Sequence, residues 1–463
     1  MRKMGLKDIL LNLPEVAGPL ERRLPFRDKL KWTGIVLLLF FTLGLIPIHG
    51  LGSNSLQQFE FLSIILGAEF GSIISLGIGP IVTASILLQL LNGSGILKFD
   101  LTSPEGKKMF QGVQKALVML FILFEAAIYV ATNGLAPEPG GSHFAIFIQL
   151  VIGGFLILFM DEVVSKWGFG SGVSLFIAAG VSKEIMIRLL SPFSSSGTFA
   201  FTSGQPPIGA LLAIFYFFTQ GDFGEVFVNL LVILTTILVF VIAVYAQSMK
   251  VELPLSFGRI RGHGVRWPLA FIYTSNIPVI LTAALLANIQ LWTRLLNNNG
   301  IHFLGTLGQG QASTGFVSLI EPVNLVNSLA TGSLVWAQVV PRIIVFTLFM
   351  VAGSILFSLF WVKTAGMDAR SQAKQIMSSG LQIPGFRKDE RVVESLLDRY
   401  IPALTVMGAI TVGLLASLAD VMGALTSGTG LLLTVMIVYK LYEEIAQQHA
   451  VDMNPMLKKF IQT

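Results

Sequence analysis

The run Ile78-Gly79-Pro80-Ile81-Val82-Thr83-Ala84-Ser85-Ile86-Leu87-Leu88-Gln89-Leu90-Leu91 is apolar enough to enter a membrane, and a short amphipathic stretch, Ser55 to Gly67, stands before it. That stretch carries Gln57, Gln58 and Glu60 among Leu56, Phe59, Phe61, Leu62, Ile64, Ile65 and Leu66. It is too short to cross a bilayer, which takes about 20 apolar residues. A full apolar segment, Trp32 to Ile48, precedes it. A half-length helix at membrane depth is tolerated only where protein or a water-filled cavity surrounds it. The combination points to a channel with a segment seated in its mouth.

The composition agrees with a membrane protein. The chain has 463 residues, 53% hydrophobic and only 12% charged, with a mean hydropathy of +0.75. Soluble domains average about 25% charged residues. The 46 glycines fit too, because Gly lets membrane helices approach closely. There is no Cys, which excludes disulfides, thiol catalysis and Cys-ligated metals. The five His (His49, His143, His263, His302, His449) show no ligand spacing, so neither a metal nor a cofactor is expected. The polar start, Met1 to Lys31, is too long for the n-region of a cleaved signal, and Trp32–Ile48 reads as the first span.

Apolar runs of about 17–25 residues predict ten spans, at 32–48, 72–92, 110–132, 144–164, 171–190, 225–248, 268–292, 334–362, 400–419 and 421–444. Pro207–Phe218 is apolar but too short, and is expected to be an interfacial or external helix. With the N-terminus in the cytoplasm, 27 of the 31 Lys and Arg fall on cytoplasmic segments. The positive-inside rule therefore supports ten spans in a cell membrane, with both termini cytoplasmic. Two inner loops are long and basic: Lys250 to Arg266, with Arg259 and Arg261 near its tip, and Lys363 to Arg399, with Pro384-Gly385-Phe386-Arg387. Such loops grip polyanions such as RNA phosphates, or are simply solvated. Their length favours function.

Five spans precede the segment 191–224 and five follow, so the second half runs in the opposite orientation, as in inverted-repeat proteins. The expected organisation is an amphipathic cytoplasmic arm over 1–31 and a first half over 32–190 that includes the half-helix 55–67. The external connector 191–224 leads to a second half over 225–446 with cytoplasmic loops 249–267 and 363–399, and a tail over 447–463 follows.

Ile78 and Val82 share a helix face, and Val173 and Ile177 repeat that spacing in the fifth span; Ile277 follows Asn276 in the seventh. Apolar residues in membrane helices usually face lipid or core, so more information lies in the polar ones: Thr83, Glu125 and Asn276. Glu125 reads equally as a proton or cation site or as a polar contact between helices. A ten-span secondary transporter coupling through Glu125 and Arg342 is one alternative; a membrane enzyme would need a catalytic constellation, and none is found.

Several motifs together carry a resemblance: Gly79-Pro80-Ile81-Val82-Thr83 with Gln89-Leu90-Leu91, Tyr273-Thr274-Ser275-Asn276-Ile277-Pro278, Pro384-Gly385-Phe386-Arg387, and Leu13-Pro14-Glu15 with Lys31-Trp32-Thr33. In order and over essentially the whole chain they resemble the SecY family, the large subunit of the Sec protein-translocation channel. Tyr-Thr-Ser-Asn-Ile-Pro and Lys250-Val-Glu-Leu-Pro are similar to its archaeal and eukaryotic branch.

The resemblance implies an all-α membrane protein of two inverted five-helix halves with a re-entrant plug. The plug would be 55–67, with Leu56, Phe59, Phe61, Leu62, Ile64 and Ile65 on it. Ile78, Val82, Val173, Ile177, Ile277 and Leu433 would form a hydrophobic pore ring, a dewetting constriction that widens around a peptide. Thr83, Glu125 and Asn276 would be the polar cluster of a lateral gate, with Glu125 where eukaryotic members carry Gln. Arg387 matches a loop residue of ribosome docking, with Arg259 and Arg261 on the neighbouring tip. The implied partners are a SecE-type subunit, a small third Sec subunit, the translating ribosome and its RNA, signal sequences, nascent polypeptides and lipid. The implied function is a passive protein-conducting channel that also releases membrane spans sideways, with no catalytic residue and no cofactor.

Overall fold

A computed structural model describes residues 13–19, 24–54, 68–93, 96–97, 99, 103–194, 197–257, 264–274, 277–298, 300, 302–303, 305–308, 311–323, 325–330, 335–378, 381–382 and 389–453. Helices dominate. The first bundle contains α1 (Phe26–Gly44), α2 (Gly79–Gly93), α3 (Pro104–Ala131), α4 (His143–Trp167) and α5 (Gly172–Leu190). A short helix, α6 (Ala210–Gln220), leads to α7 (Phe223–Ser248), α8 (Ile277–Asn298), α9 (Trp336–Thr364), α10 (Ala369–Ser378), α11 (Glu390–Val421) and α12 (Gly428–Met453). Local chemistry sets several starts. Ser103 accepts from the Gly106 amide at 3.1 Å, with Pro104 in the first turn of α3. Asp222 and Asp389 cap α7 and α11 in the same way.

Among the described residues, ten helices coincide with the ten expected spans, and α6 is the short helix expected over 207–218. By length and composition, five helical segments are apolar enough to cross a membrane: 105–131, 143–167, 223–248, 336–378 and 390–421. The helices α2 and α8 are shorter and apolar.

Three spans begin well after their expected starts. The tenth, expected at 421–444, becomes helical only at Gly428, after a turn over 422–427. The second, expected at 72–92, becomes helical only at Gly79. Its first residues are turns whose backbone is engaged elsewhere: the Ile48 amide donates to Gly71 O at 2.9 Å and the Ile73 amide to Ile46 O at 3.0 Å. Helix α4 presses on this turn at Gly153, where a Cβ would lie 1.8 Å from Ile73 O, so only glycine fits. The seventh, expected at 268–292, starts at Ile277. Residues 264–270 instead form β4 (Gly264–Ala270), antiparallel to β3 (Lys250–Phe257) with Lys250 opposite Ala270. The apolar alternation of Val265, Trp267 and Leu269 belongs to a strand.

The helices sort into two bundles. In the first, α4 packs on α1, α3 and α5, and α2 on α3; in the second, α9 packs on α8 and α11, and α12 on α7 and α11. They meet along two seams: α2 lies against α8 and α9, and α5 against α12. A two-residue strand, β5 (Leu381–Gln382), joins β3 on the edge away from β4. Both long basic loops are thus rooted in one sheet. That sheet has its own core, in which Leu253 and Leu269 meet Ala373 and Ile376 of α10 and Val393, Leu397 and Ile401 of α11.

Candidate functional site

A cavity of about 390 Å³ lies between the bundles. The first contributes Val82, Ser85 and Gln89 of α2, Gln114 of α3, Asp161 of α4 and Val173 of α5. The second contributes Ile277 and Ile280 of α8, Trp361 and Thr364 of α9, and Ile437 and Lys440 of α12. Three of the six ring candidates, Val82, Val173 and Ile277, therefore face the cavity. Ile78, Val82, Ile177 and Leu433 are buried, and Val173 and Ile277 are half-buried against the same apolar core. Five of the six lie on helices that bound the interface between the bundles, and Ile78 is the turn residue that leads into α2.

The polar cluster forms at the seam of α2 with α8. The Thr83 hydroxyl is shared between Gly79 O at 2.8 Å and the Glu125 carboxylate at 3.2 Å. Glu125 is buried, so its partner matters. Asn276 lies outside the described residues. The asparagine that reaches the pair is Asn288 of α8, whose Nδ2 donates to Thr83 Oγ1 at 3.4 Å and to Ala284 O at 2.9 Å. Sequence reasoning passed over Asn288; its signal was a second amide-bearing position inside an apolar span. A further contact, Gln114 Nε2 donating to Ser85 Oγ at 2.9 Å, ties α3 to α2 beside the cavity.

The half-helix 55–67, with Leu56, Phe59, Phe61, Leu62, Ile64 and Ile65, lies outside the described residues, but its two roots do not. Leu51–Asn54 forms β1, paired with β2 (Leu135–Pro137). The Asn54 side chain donates to Phe70 O at 2.9 Å, bringing the roots together. Lys183 of α5 pairs with Glu69 just beyond them. Arg259, Arg261 and Arg387 also lie outside the described residues. The strands flanking them share one sheet, with Phe257 opposite Leu381. Where the sheet meets α10, burial and the Asp368 carboxylate push the Tyr273 phenol up to about 12. Its hydroxyl donates to Met367 O at 2.7 Å.

The residues of the transporter alternative have separate tasks. Arg342 Nε donates to Ser318 O at 2.6 Å, and its Nη2 lies 3.5 Å from Glu321, while Glu125 serves Thr83.

A family model described as SecY matches residues 72–442. The protein translocase subunit SecY of Methanothermobacter thermautotrophicus is 46% identical over 453 residues, covering 97% of this chain and 96% of that protein. A solved SecY structure, whose plug domain is described as stabilising the closed state of the translocation channel and maintaining a membrane seal, superposes with a TM-score of 0.82. It is 42% identical and covers 96% of this chain and 98% of its own. Sec61 in the canine ribosome–channel complex from the endoplasmic reticulum gives 0.80 at 41% identity, again over 96% and 98%. These relatives are channels, which removes the transporter alternative. The chain belongs to the SecY family.

Proposed function

We propose that polypeptide passes between the two bundles, through a constriction formed by Ile78, Val82, Val173, Ile177, Ile277 and Leu433. The observation that carries this reading is the cavity itself: α2, α3, α4 and α5 line one side and α8, α9 and α12 the other. A path bounded by two separable bodies widens by parting them and needs no internal rearrangement. Branched apolar side chains at the narrow point repel water and ions and yield to a chain. The seam of α2 with α8, held by Thr83, Glu125 and Asn288, is the exit toward lipid. An apolar signal helix gains by leaving water there. Residues 55–67 seal the closed channel.

Transport of this kind makes and breaks no covalent bond, so the driving force comes from a partner. The translating ribosome docks on the paired basic loops through Arg387, Arg259 and Arg261, and a SecE-type subunit and a small third subunit complete the complex. Reconstituting the chain with those two subunits in proteoliposomes tests the reading. Ribosome-bound preprotein is expected to become protease-protected, and Leu433→Gly to raise resting ion leak. A complex that binds ribosomes yet protects no preprotein overturns it.

A further inference from the structure

Asp161, half-buried at the cavity, and Asp420, buried, are carboxylates without a task in the channel as described so far. Each sits near the end of one helix and holds the start of the next. Asp161 of α4 accepts from the Val173 amide at 2.9 Å. Gly172, the first residue of α5, is pressed onto it: a Cβ there would lie 2.5 Å from Asp161 Cα. In the second bundle Asp420 of α11 accepts from the Thr429 amide at 3.1 Å and from the Thr429 hydroxyl. Gly428, the first residue of α12, is pressed equally hard: a Cβ would lie 2.2 Å from the Asp420 amide nitrogen.

The order of residues matches as well. A glycine is followed by the clamped residue and, one helical turn later, by a ring candidate: Gly172-Val173 then Ile177, and Gly428-Thr429 then Leu433. The helices that follow, α5 and α12, pack directly against each other. The spans between the two clamps put them on opposite sides of the constriction. At a rise of about 1.5 Å per residue, Ile177 and Leu433 lie only about 6 Å beyond their clamped residues. Both helices therefore begin close to the narrow point, inside the depth of the membrane. The first amides of a helix have no intrahelical acceptor. At that depth protein must supply one. A carboxylate offers two oxygens and a charge that suits the helix N-terminus.

We propose that Asp161 and Asp420 are a matched pair of positioning residues, one per bundle, that fix the heights of α5 and α12 and so hold Ile177 and Leu433 level in the ring, with Val173 one turn from Ile177. This rests on the ring reading given under the proposed function. A helix that slips by one residue moves about 1.5 Å and turns its side chains by about 100°, which aims a ring residue away from its neighbours.

The test measures resting ion conductance per assembled complex of the full chain and its partner subunits in planar bilayers, with preprotein translocation followed in parallel. Asp161→Leu and Asp420→Leu are expected to assemble and leak. Asp161→Asn keeps the Oδ1 acceptor and is expected to restore tight closure relative to Asp161→Leu. Thr429→Val keeps the side-chain shape and removes one donor; its leak should rise roughly fivefold, the change one lost hydrogen bond makes in an equilibrium. Assembled leucine variants with parental conductance overturn the proposal, as does an asparagine variant that leaks as much as leucine. If the leucine variants do not assemble, parental conductance in Thr429→Val overturns it. Failure of the channel reading looks different: the parent would protect no preprotein and Leu433→Gly would not leak. Failure of the clamps alone leaves both of those results in place.

Discussion

Asn288 of α8 reaches from the second bundle to Thr83 of α2 in the first, Nδ2 to Oγ1 at 3.4 Å, and Thr83 in turn meets Glu125 at 3.2 Å. The Thr83–Glu125 bond lies within the first bundle, so only the Asn288 bond is stretched when the seam parts.

Asn288→Leu should therefore leave the Thr83–Glu125 pair in place and turn the seam contact apolar. Interhelical polar contacts in membranes are worth about 0.6–2 kcal/mol. A leucine in a span contributes about 0.3–0.6 kcal/mol. Weak signals should fail on the more apolar closed seam while strongly hydrophobic ones still pass. Insertion efficiency across a graded hydrophobicity series checks this. The midpoint should shift by one to a few leucines; superimposed curves would make Asn288 a packing residue only.

Deleting residues 55–67 should give a folded, partner-bound complex that leaks ions. The roots are already together, since Asn54 bonds Phe70 and β1 is held by β2. Rejoining the chain therefore needs little movement. Size-exclusion profiles and bilayer conductance are the readouts, and loss of assembly would make the segment part of the scaffold.

Arg387→Glu should weaken ribosome binding and lower the salt dependence of affinity by about one unit of log–log slope, because fewer counterions are released. Titrations at several salt concentrations measure it. Membrane insertion of the chain and assembly with its partner subunits should not change.

Thr426→Val should loosen the rear seam. The Thr426 hydroxyl donates to Glu184 of α5 at 2.9 Å, and both groups are buried. Leaving a buried carboxylate short of a donor costs about 1–3 kcal/mol. A lower melting temperature of the purified complex, with ribosome affinity intact, is the expected result.

Tyr273→Phe removes the bond to Met367 O, worth about 1 kcal/mol. The phenol is raised from its ordinary 10 to about 12 in the fold, so folding favours its neutral form. That contribution is complete below pH 10 and disappears as pH rises through 12. The gap in melting temperature between parent and Tyr273→Phe should accordingly shrink between pH 10 and pH 12.

Most of the fold was legible because lipid leaves few options: long apolar runs must be helices, and basic residues stay on one side. The errors fall where chain at the edge of an apolar run is claimed by another partner. Residues 72–78 pair their backbone with the end of α1, and 264–270 join a sheet, and neither demand shows in hydropathy. Asn288 was passed over for a related reason: it is one amide among several in the seventh span as read from sequence, and what singles it out is which way α8 turns toward α2. Asp161 and Asp420 stand in no motif, because what each holds is the start of the next helix, and that pairing exists only in the fold.

The basic loops and their sheet do not float beside the membrane. Helix α11 runs unbroken for 32 residues, from the core beneath the sheet to the turn that carries Thr426. At about 48 Å it exceeds the hydrocarbon thickness of about 30 Å by more than half. It acts as a strut. A load taken up at the loops arrives at the far face as a tilting moment on the second bundle, with the Glu184–Thr426 bond near its fulcrum. Pro402, inside α11 where it leaves the lower core, gives the strut a flexure. Under the proposed docking, a ribosome on this lobe holds the long arm of a lever whose short arm ends at the seam the two bundles share.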